Sequence, residues 1–196
     1  MDLYLYQIRP GGETGRRAGL KILWAERPVR VRFPPGALKK LKTDEMKQFK
    51  TLSTHKKVDL IDYVKNYISE HPQTEVLIGC DSQNKKRETV YAIVIGLYNP
   101  GKGAHVLYSR FIVIRERDNV SRLLNEVWNS VETAELIKNK IGVTATWIDI
   151  DLNPDPKYRS NQALASAVGV VTGMGYKVRH KGNSPVMTYA ADHLVK

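Results

Sequence analysis

The sequence predicts an α/β protein with a mixed five-stranded sheet and helices on both faces. Beyond residue 57, the helical and extended patterns alternate in the order α-β-β-β-α-β-α-β-α. The first three strands have short connections, which indicates antiparallel pairing, and the later strands alternate with helices, which indicates parallel pairing. A hydrophobic content of 42% is ordinary for a globular domain with a real core. We therefore expect a single domain over residues 46–196.

The first half of this domain contains a helix and three strands. Apolar residues recur at helical spacing from Lys57 to His71, and Pro72 follows the expected helix end. The apolar run Val76 to Cys80 predicts a strand that ends at Asp81. Two long strands follow, and the sequence NPGKG at 99–103 predicts the hairpin loop between them.

The second half alternates helices with strands. Asp118 or Asn119 can cap the start of a helix with a continuous apolar stripe, and Gly142 is suited to end it. The later predicted elements are a strand at 143–151, a helix at 158–172, a strand at 176–179 and a helix at 186–195. This is the order from which the mixed sheet follows.

The composition limits the possible functions. Cys80 is the single cysteine, which excludes an internal disulfide framework and a multi-cysteine zinc site. A net charge of +11 and a pI near 9.7 favour a polyanionic partner, most often nucleic acid. The sequence has neither an apolar run of membrane-spanning length nor a secretory signal, so we expect a cytoplasmic protein with no membrane partner.

Residues 1–45 form a basic N-terminal extension without helical or strand periodicity. They contain ten Lys/Arg and five Asp/Glu, which leaves 21 and 15, a net +6, for the rest of the chain. One interpretation is a disordered basic arm.

A second interpretation is that the extension is a start-site artefact that reads through a transfer RNA gene. Val31-Arg32-Phe33 can be back-translated as GTTCGATTC, a T-loop consensus, and Leu20-Lys21-Ile22 can begin CTTAAAA, an anticodon loop for leucine. Eleven codons, or 33 bases, separate these segments, as the long variable arm of a leucine transfer RNA requires. On this hypothesis the true start lies nearer Met46.

The stretch WIDIDLN at 147–153 places two carboxylates where a buried strand ends. Side chains alternate along a strand, so Asp149 and Asp151 point to the same face. A buried carboxylate pair is costly unless positive charge lies against it. The sequence therefore poses the question of which cation accompanies this pair.

Several separated motifs resemble the YkuK-type family of predicted ribonuclease H-related proteins. They occur in the right order over roughly residues 57–196, and they are IGCDSQ, RLLNEVWNSVETAE, IDLN followed by SNQALASAVGVVTGMGY, and AADHLVK. The resemblance implies a ribonuclease H-like fold. It also implies that acids from the first strand, a helix, the fourth strand and the last helix gather at one end of the sheet.

In ribonuclease H-like nucleases these acids hold two Mg²⁺ or Mn²⁺ ions about 4 Å apart, which activate a water and stabilise the leaving oxygen. Hard divalent cations prefer oxygen ligands, which explains the choice of carboxylates. The resemblance thus assigns metal binding and catalysis to Asp81, Glu126, Asp151 and Asp192. The metal pair is the candidate answer to the question that WIDIDLN raises.

Each assignment has an alternative. Asp81 could instead cap the following turn. Glu126 is preferred over Glu135 by the LLNEV match, since the two lie about 13 Å apart along a helix and cannot both reach one metal pair. Asp149 is a possible extra ligand or a group that supports the ligands, and Asp192 could be a surface acid.

Other residues near the predicted site are candidates for substrate contacts. Ser82, Gln83 and Asn84 could contact a sugar or phosphate, or could be ordinary turn residues. His180 lies where some ribonucleases H keep a mobile histidine that assists product release. The basic residues that flank the site are Lys85, Lys86, Arg87, Lys177, Arg179 and Lys181. They could hold phosphates, or form an ordinary soluble surface.

The leading hypothesis is a metal-dependent nuclease that acts on RNA, an RNA–DNA hybrid or structured DNA. The alternative is a nucleic-acid-binding module of the same fold that does not cleave, since this fold serves many roles. A scaffold or interaction subunit is a third class, for which the sequence offers no dedicated feature. Replacement of Asp81 by Asn separates the first two, because a nuclease would lose turnover and a pure binder would bind polyanions better.

Overall fold

The computed structural model describes residues 47–196. Its strands and helices are, in chain order, β1 (Phe49–Thr51), β2 (Lys57–Val58), α1 (Leu60–Glu70), β3 (Glu75–Asn84), β4 (Glu88–Asn99), β5 (Gly103–Ile114), α2 (Asn119–Ile141), β6 (Trp147–Asp149), α3 (Asn161–Gly173), β7 (Val178–Arg179) and α4 (Val186–Val195). A 3-10 turn at Lys181–Asn183 joins β7 to α4. The predictions for residues 1–45 and for a start at Met46 lie outside the described residues.

The strands form one mixed sheet in the order β2-β1-β5-β4-β3-β6-β7. Strands β3, β4 and β5 pair antiparallel, and β6 and β7 add parallel to β3. The mixed sheet is therefore confirmed, with three antiparallel strands followed by parallel ones. The structure adds β1 and β2 beyond β5, so the sheet has seven strands over the described residues. The two added strands have only three and two residues, which is too short for a period-two pattern to be recognised in the sequence.

Strand β3 is longer than predicted. It continues past Cys80 to Asn84, because β4 supplies a backbone partner for every residue as far as the pair between Asn84 and Thr89. Asp81 consequently lies inside the strand. The polar residues that suggested a turn are held in the ladder by backbone hydrogen bonds. The polarity of their side chains gives no indication of this pairing, so the sequence did not predict it.

The connection between β6 and α3 also differs from the prediction. Helix α3 begins at Asn161 rather than near Tyr158. The side chain of Asn153 accepts a hydrogen bond from the backbone N–H of Asp155, and that of Asp155 accepts one from Lys157. These Asx turns compete with a helical start and delay it.

Helices cover both faces of the sheet, as predicted. The apolar stripes of α1, α2 and α3 pack on one face, where they form a large core with Ile78 and Cys80 of β3. Helix α4 packs on the other face against Leu77, Val90 and Val94. We call these the α2 face and the α4 face of the sheet. Because side chains alternate along a strand, successive residues of β3 and β6 point in turn to the α2 face and to the α4 face.

Two glycines of the sheet lie under α4, and one of them, Gly79, allows the helix to lie directly on the sheet. A Cβ atom at Gly79 would lie 2.8 Å from the Cβ of Met187 and 3.0 Å from the backbone nitrogen of Thr188. A Cβ atom at Gly96 would lie 2.6 Å from the Sδ of Met187. At Gly79 the neighbours are the Cβ and backbone of α4, which cannot move without the helix, so α4 can take this position only where β3 has no side chain. At Gly96 the neighbour is the flexible end of the Met187 side chain, which can shift to make room.

Helix α2 begins and ends as predicted. Asp118 is its N-cap and accepts a hydrogen bond of 2.6 Å from the backbone N–H of Ser121, and Gly142 ends it in the left-handed conformation with φ of 72°. Among residues 47–196, no helix combines the length and apolar character needed to cross a membrane.

Candidate functional site

A polar cleft of about 290 Å³ lies at the end of the sheet where the parallel strands β3 and β6 terminate. Residues from β3, from the start of α2, from the loops after β6 and β7 and from α4 meet there. The cleft is lined by Asp81, Ser82, Gln83, Asn119, Arg122, Leu123, Asp151, Ser160, Lys181, Asp192 and Val195. The carboxyl ends of parallel strands are the usual position of a functional site in an α/β sheet.

Asp81 lies on the floor of this cleft. It pairs with Ala92 in the ladder and is buried, at 8% exposure. Its side chain points to the α4 face, because Cys80 beside it belongs to the core of the α2 face. Burial, together with repulsion from the carboxylates of Asp151 and Asp192, raises the pKa of Asp81 from 3.8 to about 6.

Asp151 and Asp192 line the same cleft as Asp81 and are partly exposed. Asp151 forms an ion pair of 3.1 Å with Lys181, and Asp192 forms one of 2.5 Å with Lys196, four residues later on the same helix. The structure thus brings together three acids that are far apart in the sequence. Asp151 and Asp192 each contact a lysine whose side chain reaches into solvent.

Glu126 does not line the cleft. It lies on α2 and is 3% exposed, on the opposite face of the sheet from the side chain of Asp81. Its Oε1 accepts hydrogen bonds from the Oγ of Ser82 at 2.5 Å and from the guanidinium of Arg122 at 2.9 Å. Burial and the nearby charge of Asp81 raise the pKa of Glu126 well above its ordinary value, against the opposing effect of these two donors.

Arg122 is a site residue that the sequence analysis missed. Besides Glu126, its guanidinium donates to the backbone oxygen of Ser82 at 2.8 Å and to the side chain of Asn119 at 2.9 Å. It lines the cleft as well, so one cation serves both the buried acid and the open site. The available signal was its position four residues before Glu126 on one helix, a spacing at which opposite charges meet.

Asp149 is part of the framework of α4 rather than of the cleft. Its carboxylate accepts two hydrogen bonds from Arg179, at 2.7 and 2.9 Å, and one from the backbone N–H of Met187 at 2.8 Å. Arg179 therefore supplies the positive charge that Asp149 needs. Asp149 and Asp151 therefore have separate side-chain cations in the structure, Arg179 and Lys181, and the metal pair expected at this site stays a prediction.

The remaining candidates are divided between the cleft and its surroundings. Ser82 and Gln83 line the cleft, whereas the Nδ2 of Asn84 donates to the backbone oxygen of Glu116. Lys85 donates to the C-terminal backbone at Lys196. The residues of the loop before α4 also separate, since Lys181 lines the cleft while His180 caps the 3-10 turn by accepting from the backbone N–H of Gly182.

The donor set of the cleft fits the divalent cation that the resemblance implies. Asp81, Asp151 and Asp192 offer only carboxylate oxygens, the ligands that Mg²⁺ and Mn²⁺ prefer, and their mutual repulsion is what a cation would relieve. Across residues 47–196, no three Asp, Glu, His or Cys side chains already lie close enough to share an ion. Coordination therefore requires Asp151 and Asp192 to leave their lysine partners.

Comparison with known proteins agrees with the fold. None of the curated proteins compared with the chain matches it. Residues 59–196, which include every strand from β3 to β7 and every residue of the cleft, match the model of the family described as ribonuclease H-like. The antiparallel β3-β4-β5 unit, the parallel strands beside it and this match together show that the chain belongs to the ribonuclease H-like family.

Proposed function

We propose that the protein is a metal-dependent nuclease that hydrolyses phosphodiester bonds in RNA, an RNA–DNA hybrid or structured DNA. One observation carries the proposal: Asp81, Asp151 and Asp192 come from three separate elements and line one cleft at the carboxyl end of the parallel strands. Membership of the ribonuclease H-like family supports a nuclease-like or nucleic-acid-binding role for this fold.

The residues of the cleft have distinct tasks in this proposal. Divalent cations, when bound, would lower the pKa of a water nucleophile and stabilise the leaving oxygen of the phosphodiester. Asp81 is held in the β3 ladder, and its buried carboxylate is close enough to Asp151 and Asp192 to be influenced by their charges. Asp151 and Asp192 are more exposed and can turn toward a common centre once their lysines move away.

The charge around the cleft supports a polyanionic substrate. Residues 46–196 carry a net charge of +6 even with the acids of the cleft included. Lys181 and Arg122 line the cleft itself, and Lys85 lies against the C-terminal end of α4. Phosphate groups attract such cations, and a lysine that releases a carboxylate is then available to a phosphate.

A non-catalytic nucleic-acid-binding module is the second candidate. The observation that favours it is the pairing of Asp151 with Lys181 and of Asp192 with Lys196, which balances two of the three cleft acids with the chain's own charges. A protein of that kind needs no divalent cation in order to bind nucleic acid. The two candidates therefore differ in their response to metal removal.

The test is cleavage of labelled single-stranded RNA, RNA–DNA hybrid, duplex DNA and branched DNA with Mg²⁺ or Mn²⁺. The proposal predicts that one substrate class is cut, and that EDTA or Asp81→Asn abolishes cleavage while binding persists. Asp62→Asn is the matched control, because Asp62 is an exposed acid of α1 outside the cleft, and it should cleave like the wild type.

Two outcomes would replace the proposal. If no substrate is cut but one is bound more tightly by Asp81→Asn than by the wild type, the binding module is the better description. If cleavage survives in both EDTA and Asp81→Asn, the activity does not arise from this cleft.

A further inference from the structure

The four acids assigned from the family resemblance divide between the two faces of the sheet. Asp81 and Asp192 belong to the α4 face, and Asp151 alternates with Ile150 and Leu152, which are buried in the core of the α2 face. Glu126 lies on the α2 face and is covered there. Three carboxylates therefore line the cleft. The fourth, that of Glu126, is not part of the lining and accepts a hydrogen bond from Ser82, which is.

The charge of Glu126 is balanced inside the protein. Arg122 precedes it by one helical turn, and the side chains of the pair are only 16% and 4% exposed. The guanidinium donates to four acceptors in all: the backbone oxygen and Oγ of Ser82, the Oε1 of Glu126 and the Oδ1 of Asn119. A guanidinium keeps its charge at every physiological pH, so this cation is always present.

The two lysines that pair with acids of the cleft differ from Arg122 in exposure and in anchoring. The side chains of Lys181 and Lys196 are 38% and 57% exposed. Exposed pairs between flexible side chains are weak and are easily exchanged for another cation. Arg122 is enclosed by Glu126, Ser82 and Asn119, and exchange of this cation would leave the buried carboxylate of Glu126 with the Ser82 hydroxyl but without a charged partner.

We propose that Arg122 is the permanent cation of this site and that the cleft takes one divalent ion, held by Asp81, Asp151 and Asp192, rather than two. The inference rests on the proposed function for the presence of any metal, and it changes the expected number of ions. In a two-ion arrangement Glu126 is a ligand. In the one-ion arrangement Glu126 holds Arg122 in place, and the guanidinium occupies the positive position on the α2 side of Asp81.

The experiment is a titration of the full-length protein with Mn²⁺ alone, without nucleic acid. Free Mn²⁺ is measured by electron paramagnetic resonance, and calorimetry gives an independent count of bound ions. We expect one Mn²⁺ per chain for the wild type. Asp81→Asn removes a ligand, so Mn²⁺ binding should weaken at least about tenfold.

Variants of the Arg122 pair test the assignment directly. Arg122→Gln keeps a hydrogen-bond donor but leaves the charge of Glu126 unbalanced, so the count should rise to two. The double variant Arg122→Gln/Glu126→Gln removes both charges and should return it to one. Glu126→Gln alone should leave one ion. Arg115→Gln is the matched control, since it also removes one arginine charge, but from a guanidinium that donates to the backbone oxygen of Lys86 and does not line the cleft. This variant should bind one ion, like the wild type.

Several results would overturn the inference: two ions, or none, in the wild type, or a loss of one bound ion in Glu126→Gln. Since the wild-type count decides by itself, the test holds even if Arg122→Gln fails to fold, as circular dichroism would show. Cleavage with two bound ions would overturn this inference and leave the proposed function intact. One bound ion without cleavage of any substrate would overturn the proposed function and leave the one-ion inference intact.

Discussion

Asp149 and Arg179 form a two-point ion pair in which Nε and Nη2 of the guanidinium donate to different carboxylate oxygens, at 2.7 and 2.9 Å. The same carboxylate accepts from the backbone N–H of Met187 in the first turn of α4, whose own N-cap, Pro185, offers no side-chain hydrogen bond. Asp149 thus joins β6, β7 and α4. This is the helix that carries Asp192 to the cleft.

The first prediction follows from this arrangement. Asp149→Ala should lower the free energy of unfolding by about 3 to 5 kcal/mol, because it leaves the partly buried charge of Arg179 and a helix N–H without their acceptor. Urea unfolding measured by circular dichroism tests this. Glu132→Ala, which removes the partner of Lys47 in a surface pair of 3.5 Å on the exposed side of α2, should show no measurable change. Equal effects of the two substitutions would contradict a framework role for Asp149.

The second prediction concerns pH. The pKa of Asp81 is raised by burial to about 6 in the folded protein from an ordinary 3.8, so the folded state binds its proton more tightly than the unfolded state. The stability of the protein should therefore fall as the pH rises from 4 through 6, and the loss from this group should approach about 3 kcal/mol above pH 6.

Asp81→Asn should lack that loss. In EDTA, the variant should be about as stable as the wild type at pH 4 and more stable at pH 8, as judged by unfolding at each pH. Asp62→Asn serves as the control and should follow the wild-type pH profile. If the difference in unfolding free energy between the wild type and Asp81→Asn does not grow with pH, the pKa of Asp81 is not raised in the folded protein.

The third prediction tests the close approach of α4 to the sheet. Gly79→Ala places a methyl group 2.8 Å from the Cβ of Met187 and 3.0 Å from the backbone of Thr188, neither of which can move aside without the helix. We expect a loss of about 1 to 3 kcal/mol in unfolding free energy. The nuclease activity that we propose should fall with it, because Asp192 moves with α4.

Gly169→Ala is the matched substitution for this test. Gly169 lies in the interior of α3, and a Cβ atom there would meet no neighbour within 4 Å. Alanine is the better helix former, so this variant should be more stable by about 0.5 to 1 kcal/mol. A neutral Gly79→Ala measured beside it would show that α4 can shift at little cost.

The fourth prediction concerns nucleic-acid binding. With a divalent ion present and Asp81→Asn as the background to prevent cleavage, Lys181→Gln should weaken binding of each substrate and should reduce the slope of log K against log salt by about one, the result of losing one phosphate contact. Fluorescence anisotropy over a range of salt concentrations measures both quantities. Lys65→Gln, on the exposed surface of α1, should leave the slope unchanged. An unchanged slope in Lys181→Gln would place the phosphates elsewhere.

The local features of the fold were predictable because their signals lie within a few residues of one another. Asp118 and Gly142 were expected at the ends of α2 and are found there, and the predicted bounds of α4 agree with the structure. The end of β3 was not predictable in this way. Asp81 to Asn84 have the composition of a turn, and only their pairing with β4 keeps them extended.

The candidate site shows the same division. The motifs around Asp81, Asp151 and Asp192 identified the acids that line the cleft. The partners of Asp149 and Glu126 were not identified, although Arg179 and Arg122 are visible in the sequence. Residues 149 and 179 are 30 positions apart, and no periodicity indicates that a parallel pairing of β6 with β7 places them side by side.

The sequence by itself determined the order of the elements, the family of the fold and the acids at the strand ends, because periodicity, caps and motifs are properties of neighbouring residues. Only the tertiary structure decided which cation accompanies each acid: Arg122 with Glu126, Arg179 with Asp149, and exposed lysines with Asp151 and Asp192. The physical reason is that charge compensation depends on distance and burial in space. Those are set by sheet pairing and by the packing of α2 and α4 on opposite faces.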